Sequence, residues 1–145
     1  MNQPERAVME LKEHARKAAA NSYSPYSRFP VGAAVAGASG RIYAGCNVEN
    51  ASFGLTQCAE RTALTAAIAD GAAPGSLGLL VIYTPGEVAH PPCGACRQVM
   101  HELMAEDSLV VSCCDGDDLH AWRHSEHLPQ PFSADAILRG GPGGS

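Results

Sequence analysis

Apolar and polar positions alternate along the 145-residue chain in patterns that separate helices from strands. Near the N-terminus apolar residues recur every three or four positions, at Val8, Leu11, Ala15, Ala18 and Ala19, which predicts an amphipathic helix over residues 5–20. Similar spacing predicts helices over residues 58–69 and 93–104, and a last helical turn over 134–138. Each of the two middle helices begins at a cysteine.

Five shorter segments have strand character. Residues 31–38 and 41–46 are predicted strands joined by a turn at Ala38-Ser39-Gly40, and residues 109–114 and 119–124 flank the hairpin dipeptide Asp115-Gly116. Residues 79–84 form a continuous apolar run, which favours a strand covered on both faces. The order α-β-β-α-β-α-β-β-α predicts an α/β layered fold, with one domain over residues 1–139 and a flexible glycine-rich tail over 140–145.

The formal net charge of −5 limits the possible partners. The ten basic residues are scattered singly, whereas binding a nucleic-acid backbone normally requires a basic patch, so a polynucleotide substrate is not expected. No apolar run approaches the roughly 20 residues of a membrane span, and the N-terminal sequence lacks the order of a secretory signal. A cytoplasmic protein with no membrane partner is therefore predicted.

Two short motifs contain residues that can bind a metal or transfer protons: Cys58-Ala59-Glu60 and Pro92-Cys93-Gly94-Ala95-Cys96. Both lie at predicted helix starts, where the helix dipole favours the thiolate form that zinc requires. Three protein ligands leave the fourth position of a catalytic zinc open for water, which ionises near pH ~7 when bound. Cys58, Cys93 and Cys96 are therefore predicted to hold one Zn²⁺, with Glu60 beside the water as a proton shuttle.

A CxxC pair by itself is also compatible with two different kinds of site. Structural zinc sites contain such pairs but normally have four ligands, and redox proteins contain them but would give no role to Cys58 or Glu60. Among the six histidines only His90 is close to the CxxC pair in sequence. The three remaining cysteines fall on predicted strands and are expected to be small core residues; they are Cys46, Cys113 and Cys114.

Taken with three further segments, these motifs resemble the small homotetrameric cytidine deaminases of the three-cysteine zinc type. The resemblance rests on five segments in the family's order: residues 24–34 (SPYSRFPVGAA), 45–51 (GCNVENA), 58–63 (CAERTA), 92–98 (PCGACRQ) and 128–132 (LPQPF). It implies a three-layer α/β/α fold with a five-stranded mixed sheet. It also implies a homotetramer whose active sites are shared between subunits.

The resemblance implies roles for six further residues. Phe29 corresponds to an aromatic residue that packs on the pyrimidine, and Asn47 and Glu49 correspond to the pair that binds the sugar hydroxyls. Phe53 and Phe132 resemble residues that reach a neighbouring subunit's pocket, although the family more often has tyrosine at position 53. Arg61 would donate to thiolate sulfur and offset the negative charge of the centre.

The implied reaction is the hydrolytic deamination of cytidine and deoxycytidine in pyrimidine salvage. Glu60 would move a proton from zinc-bound water to ring N3 while hydroxide attacks C4, and would then pass a proton to the amino group, which leaves as ammonia. The alternatives are a deaminase of an antibiotic such as blasticidin S and a non-catalytic zinc-binding module. The chain departs from the family pattern at His127, where leucine is common, and in residues 115–127, where Trp122 is expected to pack; Arg97 has no assigned role.

Overall fold

Five strands form one mixed sheet in the computed structural model, which describes residues 1–138 of the chain. The sheet order is β2-β1-β3-β4-β5, in which β3 and β4 are parallel and the other neighbours are antiparallel. The strands are β1 (Gly32–Ala36), β2 (Ile42–Cys46), β3 (Leu77–Tyr83), β4 (Met104–Cys113) and β5 (Leu119–Arg123). The predicted five-stranded mixed sheet is confirmed.

Helices cover both faces of this sheet and form the predicted three layers. One face carries α1 (Gln3–Ala19), and the other carries α2 (Ala59–Ala69) and α3 (Gly94–Leu103). The continuous apolar run in β3 serves both faces, because Leu80 and Ile82 pack under α2 and α3 whereas Val81 and Tyr83 pack under α1.

The helix boundaries follow from local signals. Helix α1 begins at a capping box in which Asn2 and Glu5 each accept a hydrogen bond from the other's backbone N–H. Helices α2 and α3 begin one residue after Cys58 and Cys93, which are their N-caps. The last predicted turn is α4 (Ala134–Leu138).

Strand β4 begins earlier than the sequence predicts. Met104 already pairs with Leu77, and an irregularity in register precedes the regular pairing of Leu79 with Leu109. The residues between are Ala-Glu-Asp-Ser, which carry little strand signal, so the predicted start at residue 109 was wrong by five positions. Strand pairing with β3 overrides the weak local preference here.

A glycine lets α2 approach the end of β2. A Cβ atom at Gly45 would lie 2.8 Å from both the Ala59 carbonyl oxygen and the Thr62 Cβ. Only glycine fits such a close approach of helix to strand. The first turn of α2, which contains Glu60, is therefore held directly against the strand that leads to Asn47.

Within residues 1–138, no helix has the length and apolar character needed to cross a membrane. Of the cysteines predicted to be core residues, Cys113 and Cys114 are buried and Cys46 is half-buried. Trp122 packs against the core under α2 and α3, as expected. The predicted domain end at residue 139 and the glycine-rich tail at 140–145 lie outside the described residues.

Candidate functional site

Three cysteine sulfurs meet where α2 and α3 begin. The Sγ atoms of Cys58, Cys93 and Cys96 all lie within 4.8 Å of one another, and those of Cys58 and Cys93 are 4.0 Å apart. Cys93 Sγ also accepts a hydrogen bond from the backbone N–H of Cys96 at 3.5 Å, because the N-cap residue and the third residue of a helix face each other. The two motifs that are distant in sequence thus form one cluster.

The donor set and spacing of this cluster fit a zinc ion. Zn–S bonds of about 2.3 Å in tetrahedral geometry place sulfurs about 3.8 Å apart, close to the observed separation of Cys58 and Cys93. Among the described residues no histidine or carboxylate joins the three sulfurs, and His90 is outside the cluster. Three ligands without a fourth are typical of a catalytic rather than a structural zinc site.

Arg61 lies beside the cluster, as the family pattern implies. Its Nη2 donates to Cys58 Sγ at 3.2 Å and to the Thr56 carbonyl at 3.4 Å. Hydrogen bonding from Cys96, and then from Arg61, lowers the pKa of the Cys58 thiol to about 5, while the pKa of Cys96 is raised because it donates to that thiolate. The cluster thus favours at least one thiolate before any metal binds.

Glu60 lies in the first turn of α2 with only 5% of its surface exposed. Burial raises the pKa of its carboxyl group, and the negative charge of Cys58 raises it further. The side chain lines the same cavity as Cys58 and Cys93 but is not part of the sulfur cluster. A buried carboxyl group with a raised pKa can both accept and return a proton.

The cavity in front of these groups has a volume of about 200 Å³. Besides Glu60 and the cysteines, its walls include Phe29, Asn47, Thr56 and His90. The Phe29 and His90 rings meet edge to face, with centroids 5.1 Å apart. The structure therefore brings the predicted base-packing residue and the predicted proton shuttle to one space.

Most of the hydrogen-bonding capacity of the Asn47 amide is satisfied by groups of its own chain. Its Oδ1 accepts hydrogen bonds from the Val31 N–H at 2.9 Å and from the Ser22 hydroxyl, and its Nδ2 donates to the Phe29 carbonyl at 2.8 Å. Since an amide oxygen has two lone pairs and an amide nitrogen two hydrogens, one N–H remains for a ligand. Asn47 therefore holds the loop that presents Phe29 while it lines the cavity.

Glu49 lines a second cavity, which adjoins the first. Its Oε1 accepts hydrogen bonds from the backbone N–H groups of Tyr26 and Ser27 at 2.9 and 3.1 Å, and hydrogen bonding from Ser27 lowers the pKa of its carboxyl group. An adjoining cavity of about 320 Å³ is lined by Glu49 and Phe53 and shares Thr56 with the first cavity. A base and its sugar could occupy the two spaces together.

The two predicted subunit-reaching aromatics are strongly exposed in their own chain. Phe53 is 73% exposed and contacts Tyr26 edge to face, and Phe132 is 64% exposed. The Phe132 backbone is nevertheless fixed, because its carbonyl accepts a hydrogen bond from Gln98 Nε2 at 2.6 Å. Neither ring lines the space in front of Glu60.

Comparison with known proteins identifies the family. Residues 5–113 match the model of the cytidine and deoxycytidylate deaminase zinc-binding region. The chain belongs to the cytidine deaminase family. It is 47% identical over 130 residues to a cytidine deaminase of Sporosarcina psychrophila, covering 90% of this chain and 94% of that one. It is 46% identical over 125 residues to a cytidine deaminase of Halalkalibacterium halodurans, covering 86% and 93%.

Solved structures of cytidine deaminases have the same fold. The crystal structure of the Burkholderia pseudomallei cytidine deaminase matches with a TM-score of 0.82 at 41% identity, covering 91% of this chain and all of that one. The Mycobacterium tuberculosis cytidine deaminase matches with a TM-score of 0.70 at 37% identity, covering 86% and 96%. The fold predicted from the family resemblance is thereby confirmed.

Two residues near the site have contacts that sequence reasoning missed. Arg97 donates from Nε to the Pro92 carbonyl at 2.9 Å and from Nη1 to the His127 carbonyl at 3.1 Å, which ties the loop before Cys93 to the C-terminal segment. Asp118 accepts a hydrogen bond from the Ala89 N–H at 2.8 Å. The contacts with His127 and with Ala89 join residues about 30 positions apart, and local spacing carries no signal for such pairs.

Proposed function

We propose that the protein hydrolyses cytidine and deoxycytidine to uridine and deoxyuridine with release of ammonia. The observation that carries this proposal is a cluster of three cysteine sulfurs, of which Cys58 and Cys93 line the same cavity as the buried carboxyl group of Glu60. The curated relatives that resemble the chain over most of its length are named cytidine deaminases.

One Zn²⁺ per chain would be held by Cys58, Cys93 and Cys96. When bound, zinc supplies a water molecule acidified enough to act as a nucleophile at neutral pH. Arg61 offsets the negative charge of the thiolates through its hydrogen bond to Cys58. Glu60 is only 5% exposed, and electrostatic interactions are stronger in such a low-dielectric environment than in water.

Glu60 performs the proton transfers. It takes a proton from the attacking water and delivers it to ring N3 as the water oxygen bonds to C4 of the base. It then takes the remaining proton and passes it to the exocyclic amino group, so that the C4–N bond breaks and ammonia leaves. Each transfer uses the same buried carboxyl group, whose raised pKa suits both acceptance and donation.

The nucleoside is bound by residues of both cavities. Phe29 packs against the pyrimidine, while the free N–H of Asn47 and the Oε2 atom of Glu49 bind the sugar hydroxyls. This division requires a donor and an acceptor for the sugar. It is supported by the second N–H of Asn47 Nδ2, beyond the one bonded to Phe29, and by the backbone hydrogen bonds of Glu49, which both go to Oε1.

The proposed assembly is a homotetramer that shares its active sites. Phe53 and Phe132 are large, exposed and apolar, and both match residues that reach a neighbouring subunit's pocket in the family that the chain resembles. In this assembly both would enter a neighbouring subunit's pocket. The proposed location is the cytoplasm, where the protein would act in pyrimidine salvage, and all six cysteines are unpaired as a reducing compartment requires.

An assay of ammonia release, with zinc analysis of the same samples, tests the proposal. Cytidine and deoxycytidine should be deaminated far faster than cytosine, blasticidin S or single-stranded DNA. Wild type should contain about one zinc per chain, and Cys96→Ala should lose both metal and activity. Glu49→Ala should reduce the preference for cytidine over cytosine, because an acceptor for the sugar is gone. Equal turnover of cytosine and cytidine, or full zinc content in Cys96→Ala, would contradict the assignment.

A further inference from the structure

Hydrogen bonds hold the backbone of Phe29 and of the residue before it. Arg28 adopts a left-handed conformation with φ of 56°, and its N–H donates to the Ser24 carbonyl at 2.9 Å. The Phe29 N–H donates to Ser27 Oγ at 3.1 Å, and the Phe29 carbonyl accepts from Asn47 at 2.8 Å. A non-glycine residue in this region is strained, and such strain persists where surrounding contacts enforce it. Both polar backbone groups of Phe29 are thus held by side chains.

The Phe29 ring is not fixed by these backbone contacts. It is 41% exposed, and rotation about its side-chain torsions would carry it out of the cavity wall. Within residues 1–138 its aromatic contact is with His90, whose ring meets it at an interplanar angle of 83°. Edge-to-face pairs of this kind favour one relative orientation. His90 therefore sets the orientation of a ring whose backbone is already in place.

His90 itself is carried by a rigid loop. The preceding residue, Ala89, is buried and donates its N–H to Asp118, and the following Pro91-Pro92 pair has restricted backbone torsions. The Pro92 carbonyl accepts a hydrogen bond from Arg97. The backbone that carries the imidazole is thus anchored on both sides, and the exposed His90 side chain lines the cavity together with Phe29.

We propose that His90 is a positioning residue for substrate binding, which holds the Phe29 ring in the orientation that receives the pyrimidine. This inference rests on the proposed function, since it takes the cavity as the nucleoside site. A freely rotating ring must be immobilised when the base binds, and immobilising one side chain weakens binding by about 2- to 13-fold. His90 removes this cost before the substrate arrives. The groups around Glu60 are untouched, so the chemical step is unaffected.

The test compares His90→Ala, which removes the ring, with His90→Phe, which keeps an aromatic edge but no nitrogen. His90→Ala should raise KM for cytidine, and the Kd of the product uridine measured by calorimetry, about 2- to 13-fold, with kcat within about twofold of wild type. His90→Phe should remain close to wild type in both constants. His14→Ala is the control, because His14 is an exposed histidine like His90 but lies on α1, on the face of the sheet opposite α2 and α3.

A double-mutant cycle establishes whether His90 acts through Phe29. In a Phe29→Leu background, His90→Ala should have no further effect on uridine binding, because the ring that it orients is gone. Additive effects, an unchanged Kd in His90→Ala, or a His90→Phe variant as weak as His90→Ala would each overturn the inference. Melting temperature and zinc content identify a misfolded variant. A wild type that binds uridine but does not deaminate cytidine would refute the proposed function alone, since the binding comparison still reports on His90.

Discussion

Replacing Glu60 by glutamine separates the chemistry of the site from its architecture. Glutamine has nearly the same size and shape as glutamate but cannot accept and return a proton near neutral pH. Glu60 is 5% exposed, so the replacement has to fit a closed environment, and the amide does so without a change of volume. The sulfur cluster does not include Glu60, so zinc content should be unchanged.

The expected loss of activity is large. Removing one general acid–base group typically costs about 10²- to 10⁴-fold in rate, and Glu60 is proposed to serve successive transfers at N3 and at the amino group. We therefore expect kcat to fall by about 10³- to 10⁴-fold, which corresponds to about 4 to 5.5 kcal/mol of transition-state stabilisation. The free energy of unfolding of Glu60→Gln should be equal to or higher than that of wild type, because burial disfavours the charged carboxylate and the amide carries no charge.

The measurements are steady-state loss of cytidine, zinc content and urea unfolding of the same preparations. Glu60→Asp is the matched control, since it keeps the acid but withdraws it by one methylene from its position in the cavity; its kcat should fall between those of wild type and Glu60→Gln. A Glu60→Gln variant that retains more than about a tenth of wild-type kcat would refute the proton-transfer role. A variant that loses zinc would instead make Glu60 a part of the metal site.

Two further predictions concern the C-terminal segment. Burial lowers the pKa of His124 and His127 below its ordinary value near 6.5, and His127 has no hydrogen-bond partner for either ring nitrogen within the described residues. The free energy of unfolding of the wild type should therefore be greatest above pH 6.5 and fall as the pH drops below it, by at most about 1.4 kcal/mol per pH unit for each histidine. In urea unfolding, His127→Leu should be about 1 kcal/mol more stable than wild type at about pH 7.5 and should lose less stability than wild type at about pH 5.5. Equal losses of stability in the two proteins at the lower pH would contradict this. Mixing Phe132→Ala with Glu60→Gln subunits, each poorly active alone, should restore partial activity after subunit exchange, and no recovery despite demonstrated exchange would exclude a shared site.

The chemically reactive residues could be predicted because their arrangement is local. Cys93 and Cys96 are neighbours on one helical turn, and Cys58 and Glu60 open another, so sequence spacing determines the geometry within each motif. The meeting of the two motifs, 35 positions apart, was predicted from the ligand number of zinc and from the family resemblance. The sheet order could not be deduced from periodicity alone. The family resemblance implied a five-stranded mixed sheet but no strand order. The early start of β4 escaped prediction because pairing with β3, not local preference, determines it.

The residues that anchor the loop carrying His90 were beyond sequence reasoning for the same physical reason. The contacts of Asp118 with Ala89 and of Arg97 with His127 join distant parts of the chain. His90 gave a misleading signal, since a histidine close to CxxC suggests a metal ligand. The structure instead places its ring against Phe29, outside the sulfur cluster.

Asn47 both holds the Phe29 loop and is proposed to bind the sugar, so a substitution at Asn47 cannot test sugar recognition alone. Its amide oxygen is saturated by Val31 and Ser22 and its nitrogen holds the Phe29 carbonyl. Asn47→Ala would therefore release the loop that presents Phe29 as well as remove the proposed donor to the sugar. Weaker nucleoside binding in that variant would not identify its cause. Glu49 also supports the loop through Oε1, but that contact is exposed and its second oxygen is not needed for it. A comparison of Glu49→Gln, which keeps an oxygen for the loop, with Glu49→Ala therefore separates the two roles better than any change at Asn47.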